Sequence, residues 1–173
     1  MKCPFCGAEN IEGSDECERC NESLTDLSLP VPATAIEADL LRDRIARLWP
    51  HTPVSVPPEM PVGEVLRKMI VGRIGCVMIV QRNRCVGIFS ERDALMRLNV
   101  DAEKYRDRPV SQFMTPNPET LEAKDKIAFA LHRMNVGGYR HIPILDNGEL
   151  IGVISIRDIL AYLTERIGSA GIR

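Results

Sequence analysis

The chain contains one sequence unit twice, and this internal repeat constrains the fold more than any other feature. Residues 52–98 align without a gap with residues 117–163, at an offset of 65 positions. The identical pairs include Leu66 and Leu131, Gly87 and Gly152, Ser90 and Ser155, and Asp93 and Asp158. Each copy of such a repeat is one supersecondary unit that buries its apolar face against its neighbour. We therefore expect two packed copies, with the functional site in the cleft between them.

Each copy is predicted to fold in the order strand, helix, strand, strand, helix. In the first copy a short strand at residues 54–56 precedes apolar residues at helical spacing between positions 62 and 70. Two apolar runs at 76–80 and 85–89 then flank a polar segment, which is typical of a β-hairpin, and the last helix begins at Ser90. In the second copy the corresponding turn is Asn147-Gly148, a strong hairpin dipeptide. The predicted class is α+β, with two βαββα repeats.

The two copies end in similar motifs, Gly-apolar-apolar-Ser-x-x-Asp, at residues 87–93 and 152–158. Met114-Thr115 precedes the second copy, and Arg140-His141 leads into its second strand. In this combination the segment from about residue 50 to 168 resembles a tandem pair of cystathionine-β-synthase (CBS) domains, also called a Bateman module. The first copy departs from this pattern, because it has Gly75-Cys76 where the second has Arg140-His141.

Two interpretations of the Ser-x-x-Asp motif remain open from the residues alone. A Ser followed three positions later by an acidic residue resembles a capping box at a helix N-terminus. Alternatively, the free N–H groups and positive dipole end of a helix that follows a buried strand bind phosphate, and an adjacent carboxylate accepts hydrogen bonds from ribose hydroxyls. The recurrence of the motif favours nucleotide binding, and a cap in the empty state is compatible with it.

In the CBS family the clefts of a pair bind adenosine-containing ligands. The resemblance implies that Asp93 and Asp158 contact ribose and that Ser90 and Ser155 lie near ribose or phosphate. It also implies that the first-strand segments, which contain Thr52, Asn117 and Thr120, lie beside the base.

Basic side chains near these positions are candidates for phosphate contacts, because a guanidinium donates two parallel hydrogen bonds to phosphate oxygens. They are Arg92, Arg157, Arg140 and His141. A solvated charge in the first helical turn is the alternative for Arg92 and Arg157, and a structural histidine is the alternative for His141. The sequence leaves the ligand open among AMP, ADP and ATP, with S-adenosylmethionine or NAD as further alternatives.

Four cysteines mark a separate module at residues 1–24. Cys3 and Cys6 form one C-x2-C pair, and Cys17 and Cys20 form a second pair after ten intervening residues. This is tetrathiolate Zn²⁺ spacing on two knuckles and resembles the short zinc ribbons of prokaryotic proteins. A rubredoxin-like iron site uses the same ligands, and disulfides are a further alternative that an intracellular chain disfavours. So small a segment would depend on its metal for folding.

The predicted ribbon is acidic. Residues 1–26 carry seven carboxylates against Lys2 and Arg19, a net charge of −5 before the thiolates are counted. Nucleic-acid binding draws most of its affinity from Lys and Arg contacts to phosphate. A protein partner is therefore predicted for the ribbon rather than nucleic acid.

Residues 25–49 are predicted to form a linker followed by an amphipathic helix. Prolines exclude regular secondary structure at residues 28–32. The change in amino-acid composition at this linker predicts that the ribbon shares little hydrophobic core with the repeats. Apolar residues at helical spacing predict one helix from Ala35 to Trp49. This helix either closes its own domain or packs across a homodimer, an association that the resemblance implies. The repeats are then assigned to residues 50–108 and 109–168.

Composition limits the classes of function. The 173 residues are 45% apolar with a net charge of −2, which predicts one main core and argues against a polyanionic partner. There is no apolar run of bilayer-spanning length and no signal peptide, so a cytoplasmic location without membrane contact is expected. The three histidines, His51, His132 and His141, have no Ser or Cys partner in sequence context. Catalysis is not expected.

These observations predict a non-enzymatic sensor that binds an adenine nucleotide between its repeats and contacts a protein partner through a zinc ribbon. Ligand contacts from both copies would favour one arrangement of the cleft, which is a population shift. Two alternatives remain. One is a nucleic-acid-binding regulator that uses the ribbon, with the repeats as its effector domain, and the other is a regulatory subunit of a larger enzyme.

Overall fold

The computed structural model describes residues 2, 3, 5–11, 14–24, 32 and 34–170, with residues 168–170 described by their backbone only. The chain divides into two compact units. Unit 1 comprises residues 1–50, 121–142 and 154–173, and unit 2 comprises residues 51–120 and 143–153. Unit 2 therefore combines segments of both sequence repeats, whereas unit 1 joins the residues before the first repeat to two segments of the second.

Helices and short strands follow each other in the order that the repeat predicts, and the fold class is α+β as predicted. The helices are α1 (Ala35–Arg42), α2 (Val62–Gly72), α3 (Glu91–Asp93), α4 (Ala102–Tyr105), α5 (Ile127–Gly137) and α6 (Ile156–Ala170). The strands are β1 (Ser55–Val56), β2 (Cys76–Gln81), β3 (Arg84–Ser90), β4 (Thr115–Pro116), β5 (Leu121–Glu122), β6 (His141–Asp146) and β7 (Glu149–Ser155). A π-helical turn at Ala94–Leu98 continues α3.

Unit 2 is built on a four-stranded sheet in the order β1-β2-β3-β4. The pair β1–β2 is parallel, and the pairs β2–β3 and β3–β4 are antiparallel. The predicted β2–β3 hairpin is confirmed, and both turn residues, Arg82 and Asn83, have the positive φ that a two-residue type I′ turn requires. The apolar stripe of α2 is buried in the same core as the sheet residues Val77, Ile79 and Phe89.

The second sheet has three strands in the order β5-β6-β7. Its hairpin is also confirmed, because Asn147 and Gly148 stand between β6 and β7 with φ angles of 51° and 85°. The predicted helix of the second copy is α5, and Gly138 ends it in the left-handed conformation with a φ of 64°. Asn117 and Thr120, expected in the first strand of this copy, instead precede β5.

Unit 1 is mainly helical in the part of the chain that the structure describes. Its buried apolar side chains include residues from the segment before the first repeat, from α5 and α6, and from the strands β5, β6 and β7: Ile45, Leu48, Leu121, Ile127, Phe129, Ala130, Met134, Ile142, Ile154, Ile159 and Tyr162. None of the described helices of the chain is long and apolar enough to cross a membrane. The predicted linker at residues 28–32 lies outside the described residues, except for Pro32.

The prediction of a single helix from Ala35 to Trp49 is wrong. Helix α1 ends at Arg42, Asp43 is extended, and Ile45–Leu48 forms a separate 3₁₀ turn. The break has a tertiary cause, because the N–H group of Ile45 donates to the carbonyl of Asp125 at 2.9 Å instead of to a carbonyl of the preceding turn. Ile45 is fully buried as a result, whereas no residue of α1 is buried.

The 3₁₀ turn at Ile45–Leu48 has a counterpart in unit 2. The N–H group of Val110 donates to the carbonyl of Met60 at 2.9 Å, as Ile45 does to Asp125 in unit 1. Val110 is the repeat equivalent of Ile45, and Asp125 is the repeat equivalent of Met60, because each pair is 65 positions apart. The two hydrogen bonds are therefore equivalent in the two repeats. The repeat therefore extends in three dimensions to the residues in front of each copy.

Candidate functional site

The Ser-x-x-Asp motif of the first repeat forms a complete capping box. Asp93 Oδ2 accepts hydrogen bonds from the N–H group and the hydroxyl of Ser90, at 2.9 and 2.6 Å. The N–H group of Asp93 donates to Ser90 Oγ at 3.4 Å. The capping interpretation is therefore confirmed here, and nucleotide binding by the same residues stays a prediction.

Two residues that the sequence analysis did not place in the site contact the other oxygen of Asp93. Thr115 Oγ1 donates to Asp93 Oδ1 at 2.8 Å, and Arg97 Nη2 lies 3.6 Å from the same oxygen. Arg97 also donates to the carbonyls of Phe113 and Met114 and to Thr115 Oγ1. Both oxygens of Asp93 thus have partners, and the residue is only 7% exposed.

A signal for Arg97 was present in the sequence, because an acidic and a basic residue four positions apart on a helix face each other. Thr115 carried a weaker signal as part of the Met-Thr pair in front of the second copy. Its contact with Asp93 spans 22 positions of the chain. No local pattern predicts that contact.

The motif of the second repeat lies in unit 1. Asp158 Oδ2 accepts from the N–H group and the hydroxyl of Ser155, at 2.6 and 2.8 Å, at the start of α6. The N–H group of Ile156 donates to the carbonyl of Arg140 at 3.0 Å, which holds the start of β6 against the first turn of α6. The structure therefore places the backbone of Arg140 beside the Ser155–Asp158 turn, and phosphate contacts by Arg140 and His141 stay a prediction.

The two motifs differ in their surroundings. Under the offset of 65 positions, Pro50 corresponds to Thr115 and Tyr162 corresponds to Arg97. Proline has no side-chain donor, and the Tyr162 hydroxyl donates to Asp43 Oδ2 at 2.8 Å. Asp158 is half-buried, whereas Asp93 is buried. One sequence motif thus occupies two different environments.

The remaining predicted side chains divide between the two units. Ser90, Arg92, Asp93, Thr52, Asn117 and Thr120 belong to unit 2, and Arg140, His141, Ser155, Arg157 and Asp158 belong to unit 1. The three arginines are exposed and His141 is half-buried. Asn117 has a φ of 46° and donates its N–H group to the carbonyl of Val86 at 3.1 Å, which fixes the end of the β3–β4 pairing.

The four N-terminal cysteines form a buried cluster. Their sulfur atoms all lie within 4.8 Å of one another, with 3.7 Å between Cys3 and Cys20 and 3.5 Å between Cys6 and Cys17. A tetrahedral ion with metal–sulfur bonds of about 2.3 Å separates its sulfur ligands by about 3.8 Å. The four donors therefore fit a tetrathiolate metal site. All six cysteines of the chain are free thiols in the structure.

The ionisation of the cluster is uneven. Burial raises the pKa of the Cys6 thiol to about 11 and also raises the pKa of the Cys20 thiol. Burial opposes ionisation of Cys17 as well, but backbone N–H groups of Cys20 and Arg19 and the neighbouring thiols lower its pKa to about 6. These opposite directions favour Cys17 as the first of the three to ionise, and a bound cation would stabilise the thiolate form of all four cysteines.

The second knuckle, residues 17–20, contacts the second repeat within unit 1. Arg19 Nη2 donates to Asp125 Oδ2 at 2.6 Å, in the turn before α5. Close by, Glu22 Oε2 lies 3.2 Å from His132 Nε2 on α5. Long-range polar contacts therefore join the knuckle to the second repeat across the predicted linker, and a ribbon that shares little core with the repeats stays a prediction.

A family model places the repeats among known proteins. The model of the CBS domain matches residues 45–100 and again residues 110–165. An uncharacterised 17.7 kDa protein of Acidianus ambivalens is 31% identical over 112 residues, which cover 64% of this chain and 66% of that protein. Two CBS domain-containing proteins of Arabidopsis thaliana are each 34% identical over 110 residues, 62% of this chain. The chain spans just under two thirds of the first relative and only 20% of each plant protein.

Solved structures share the fold. A CBS domain protein of Pyrobaculum aerophilum, solved in complex with AMP, matches 71% of this chain and 99% of its own length with 30% identity and a TM-score of 0.61. A CBS-domain containing protein of Agrobacterium tumefaciens matches 68% of this chain and 94% of its own length with 27% identity and a TM-score of 0.63. Both matches leave about a third of this chain uncovered.

Proposed function

The chain belongs to the CBS domain family, and we propose that it is a non-enzymatic regulatory protein that binds an adenine nucleotide of the AMP, ADP or ATP class. The observation that carries this proposal is the Ser155–Asp158 turn at the start of α6, with Arg140 against it. A helix N-terminus and a carboxylate supply groups that phosphate and ribose require, and Arg140 and Arg157 are the basic candidates beside them. The AMP complex of the Pyrobaculum aerophilum relative supports the adenine nucleotide class.

We propose Asp158 rather than Asp93 as the main ribose ligand. Asp93 is buried, and its two oxygens already accept hydrogen bonds from Ser90 and Thr115. A ribose at that position would have to displace these partners. Asp158 is half-buried, and Arg140 stands where the first repeat has Gly75, which offers no side chain.

Regulation would follow from which segments of the chain each unit contains. Unit 1 joins the residues before the first repeat to two segments of the second, so a ligand bound at Asp158 would act on a unit built from separate parts of the chain. A ligand with different affinity for two arrangements of these segments shifts their populations. S-adenosylmethionine and NAD contain the same adenosine group and are the alternatives to be compared with AMP, ADP and ATP.

We propose Zn²⁺ as the ion of the four-cysteine site. Four thiolates around one ion are the ligand set of structural zinc sites, and the sulfur separations fit it. Iron uses the same ligands in rubredoxin-like sites, and elemental analysis of the purified protein distinguishes the two metals. The zinc ribbon would give a protein partner an acidic surface rather than a phosphate-binding one, since Arg19 is already paired with Asp125.

Isothermal titration calorimetry tests the nucleotide proposal. The full chain would be titrated with AMP, ADP, ATP, S-adenosylmethionine and NAD, with guanosine monophosphate as the control for base recognition. We expect at least one adenine nucleotide to bind and the guanine nucleotide to bind more weakly. Absence of heat with all adenosine ligands, together with unchanged thermal melts, would show that the repeats are a scaffold.

A further inference from the structure

The cysteine cluster and the helix that carries Asp158 are joined by a series of polar contacts within unit 1. The series starts at Arg19, which lies between Cys17 and Cys20 in the sequence. Its guanidinium donates to Asp125 at 2.6 Å, and its carbonyl accepts from Arg133 of α5 at 2.8 Å. The position of Arg19 therefore depends on the knuckle that a bound metal would close.

Asp125 is the buried partner of this ion pair. Its side chain is 1% exposed, against 36% for Arg19. The same carboxylate accepts from the N–H group of Glu122 at 2.9 Å, and the Asp125 carbonyl accepts from Ile45 at 2.9 Å. A buried carboxylate that loses its cation is strongly destabilised. Loss of the Arg19 contact would therefore disturb the turn before α5 and the 3₁₀ turn that begins at Ile45.

Asp43, two residues before Ile45, continues the series to α6. Its carbonyl accepts from the N–H group of Ile127, the first residue of α5, at 3.0 Å. Its carboxylate accepts from the Tyr162 hydroxyl at 2.8 Å and from Arg166 Nη2 at 3.1 Å. Tyr162 is four positions after Asp158 on α6, so the contact lies one helical turn from the motif.

We propose that metal occupancy of the four-cysteine site is coupled to the stability of α5 and α6 through Arg19, Asp125 and Asp43. The ribbon would then be a metal-dependent clamp on the second repeat. Metal-dependent folding of the ribbon supplies the two-state element that such coupling needs. The coupling extends to nucleotide affinity at Asp158, an extension that rests on the proposed function. Because coupling is reciprocal, the nucleotide raises metal affinity by the same factor.

Hydrogen exchange of the full chain, read by mass spectrometry without nucleotide, tests the clamp. The zinc-loaded protein would be compared with protein treated with a chelator under reducing conditions, and α2 in unit 2 serves as the internal control. We expect exchange in α5 and α6 to become at least about fivefold faster on metal removal, the lower end of ordinary coupling. Unchanged exchange in α5 and α6, or an equal increase in α2, would overturn the proposal.

Two variants test the route. Arg19→Gln removes the ion pair and leaves all four cysteines in place, and Glu18→Gln changes an exposed carboxylate of the same knuckle. With equal zinc content, Arg19→Gln should show fast exchange in α5 even when loaded, and chelation should add little. Glu18→Gln should behave like the natural chain. Asp125→Asn tests the contact from its other side. If hydrogen exchange in α5 and α6 is as slow in both Arg19→Gln and Asp125→Asn as in the natural chain, this route is excluded.

AMP titrations of the zinc-loaded and chelated protein test the extension to the nucleotide. We expect AMP to bind at least about fivefold more tightly to the loaded form. Equal affinities would confine the coupling to stability and overturn the extension. If AMP binds neither form, the proposed function fails, while the exchange data still decide whether the clamp exists.

Discussion

At the scale of single residues, Asp93 and Asp158 show how one motif acquires two environments. Both accept two hydrogen bonds from the Ser that starts the helix. Only Asp93 has a Thr hydroxyl on its second oxygen, because Thr115 stands where the other copy has Pro50. The more exposed carboxylate, Asp158, is the better candidate for ligand hydroxyls, because a ligand can reach it from solvent.

The Asp158→Asn variant tests this difference. The substitution keeps the shape of the side chain and removes the negative charge of the carboxylate that would accept hydrogen bonds from two ribose hydroxyls. We expect nucleotide binding to weaken by about 1.5–3 kcal/mol, the size of hydrogen bonds to a charged group. Titration calorimetry of this variant beside the natural chain is the measurement.

Asp93→Asn is the matched control. Here we expect nucleotide affinity to change little and the free energy of unfolding to fall by about 1–3 kcal/mol, because a buried charged network is disturbed. A larger loss of affinity in Asp93→Asn than in Asp158→Asn would reverse the assignment of the main site. Unchanged affinity in both would leave the motif with a capping role only.

At the scale of elements, Asp43 separates α1 from the 3₁₀ turn and links both to α6. It ends α1, and its carboxylate accepts from Tyr162 and Arg166 on α6. Burial opposes ionisation of this carboxyl, but the Tyr162 hydroxyl and the guanidinium groups of Arg42 and Arg47 lower its pKa below its usual value. A lowered pKa in the folded state means that the ionised group stabilises the fold.

Asp43→Asn should therefore reduce stability in a pH-dependent way. The contribution of Asp43 is present above the ordinary carboxyl pKa of 3.8 and is lost as pH falls through the lower value of the folded state. We expect the variant to lose about 1–3 kcal/mol at pH 7 and to approach the natural chain below about pH 4. Urea unfolding at both pH values is the measurement. Glu37→Gln in the first turn of α1 is the control, and a difference that is independent of pH would contradict the ionic role.

At the scale of the whole molecule, exposed apolar side chains recur at equivalent positions of the two repeats. Leu95 and Leu160 are 71% and 55% exposed, and Val71 and Val136 are 79% and 70% exposed. Each pair is related by the offset of 65 positions. The resemblance implies a homodimer, and association with a second copy would remove exposed apolar side chains such as these from water. We propose a homodimer on this basis.

Sedimentation velocity of Leu95→Asp combined with Leu160→Asp tests the dimer. A charge placed in an apolar interface remains buried without a partner and should prevent association. We expect a dimer for the natural chain and a monomer for the double variant, with circular dichroism unchanged. Arg92→Asp with Arg157→Asp, a matched pair of exposed polar positions, is the control. A monomeric natural chain would remove the proposal.

The accuracy of the sequence-based predictions follows from the range of the interactions involved. The hairpins at Arg82-Asn83 and Asn147-Gly148 and the helix ending at Gly138 were predictable, because they depend on neighbouring residues. The single helix over residues 35–49 was predicted from the same kind of local pattern and was wrong. There Ile45 donates to Asp125, 80 positions away, and no periodicity records such a bond.

By itself, the sequence determined the double unit, the order of its elements, the recurrence of the Ser-x-x-Asp motif at Ser90 and Ser155, and the four-cysteine spacing. Each of these depends on residue type at short spacing, where backbone geometry allows few solutions. Only the tertiary structure decided that Thr115 engages Asp93, and that Arg19 joins the cysteine cluster to the second repeat at Asp125. These contacts each rest on one or two side chains brought together by folding. Their energy comes from burial and charge pairing at the contact, which the linear sequence does not display.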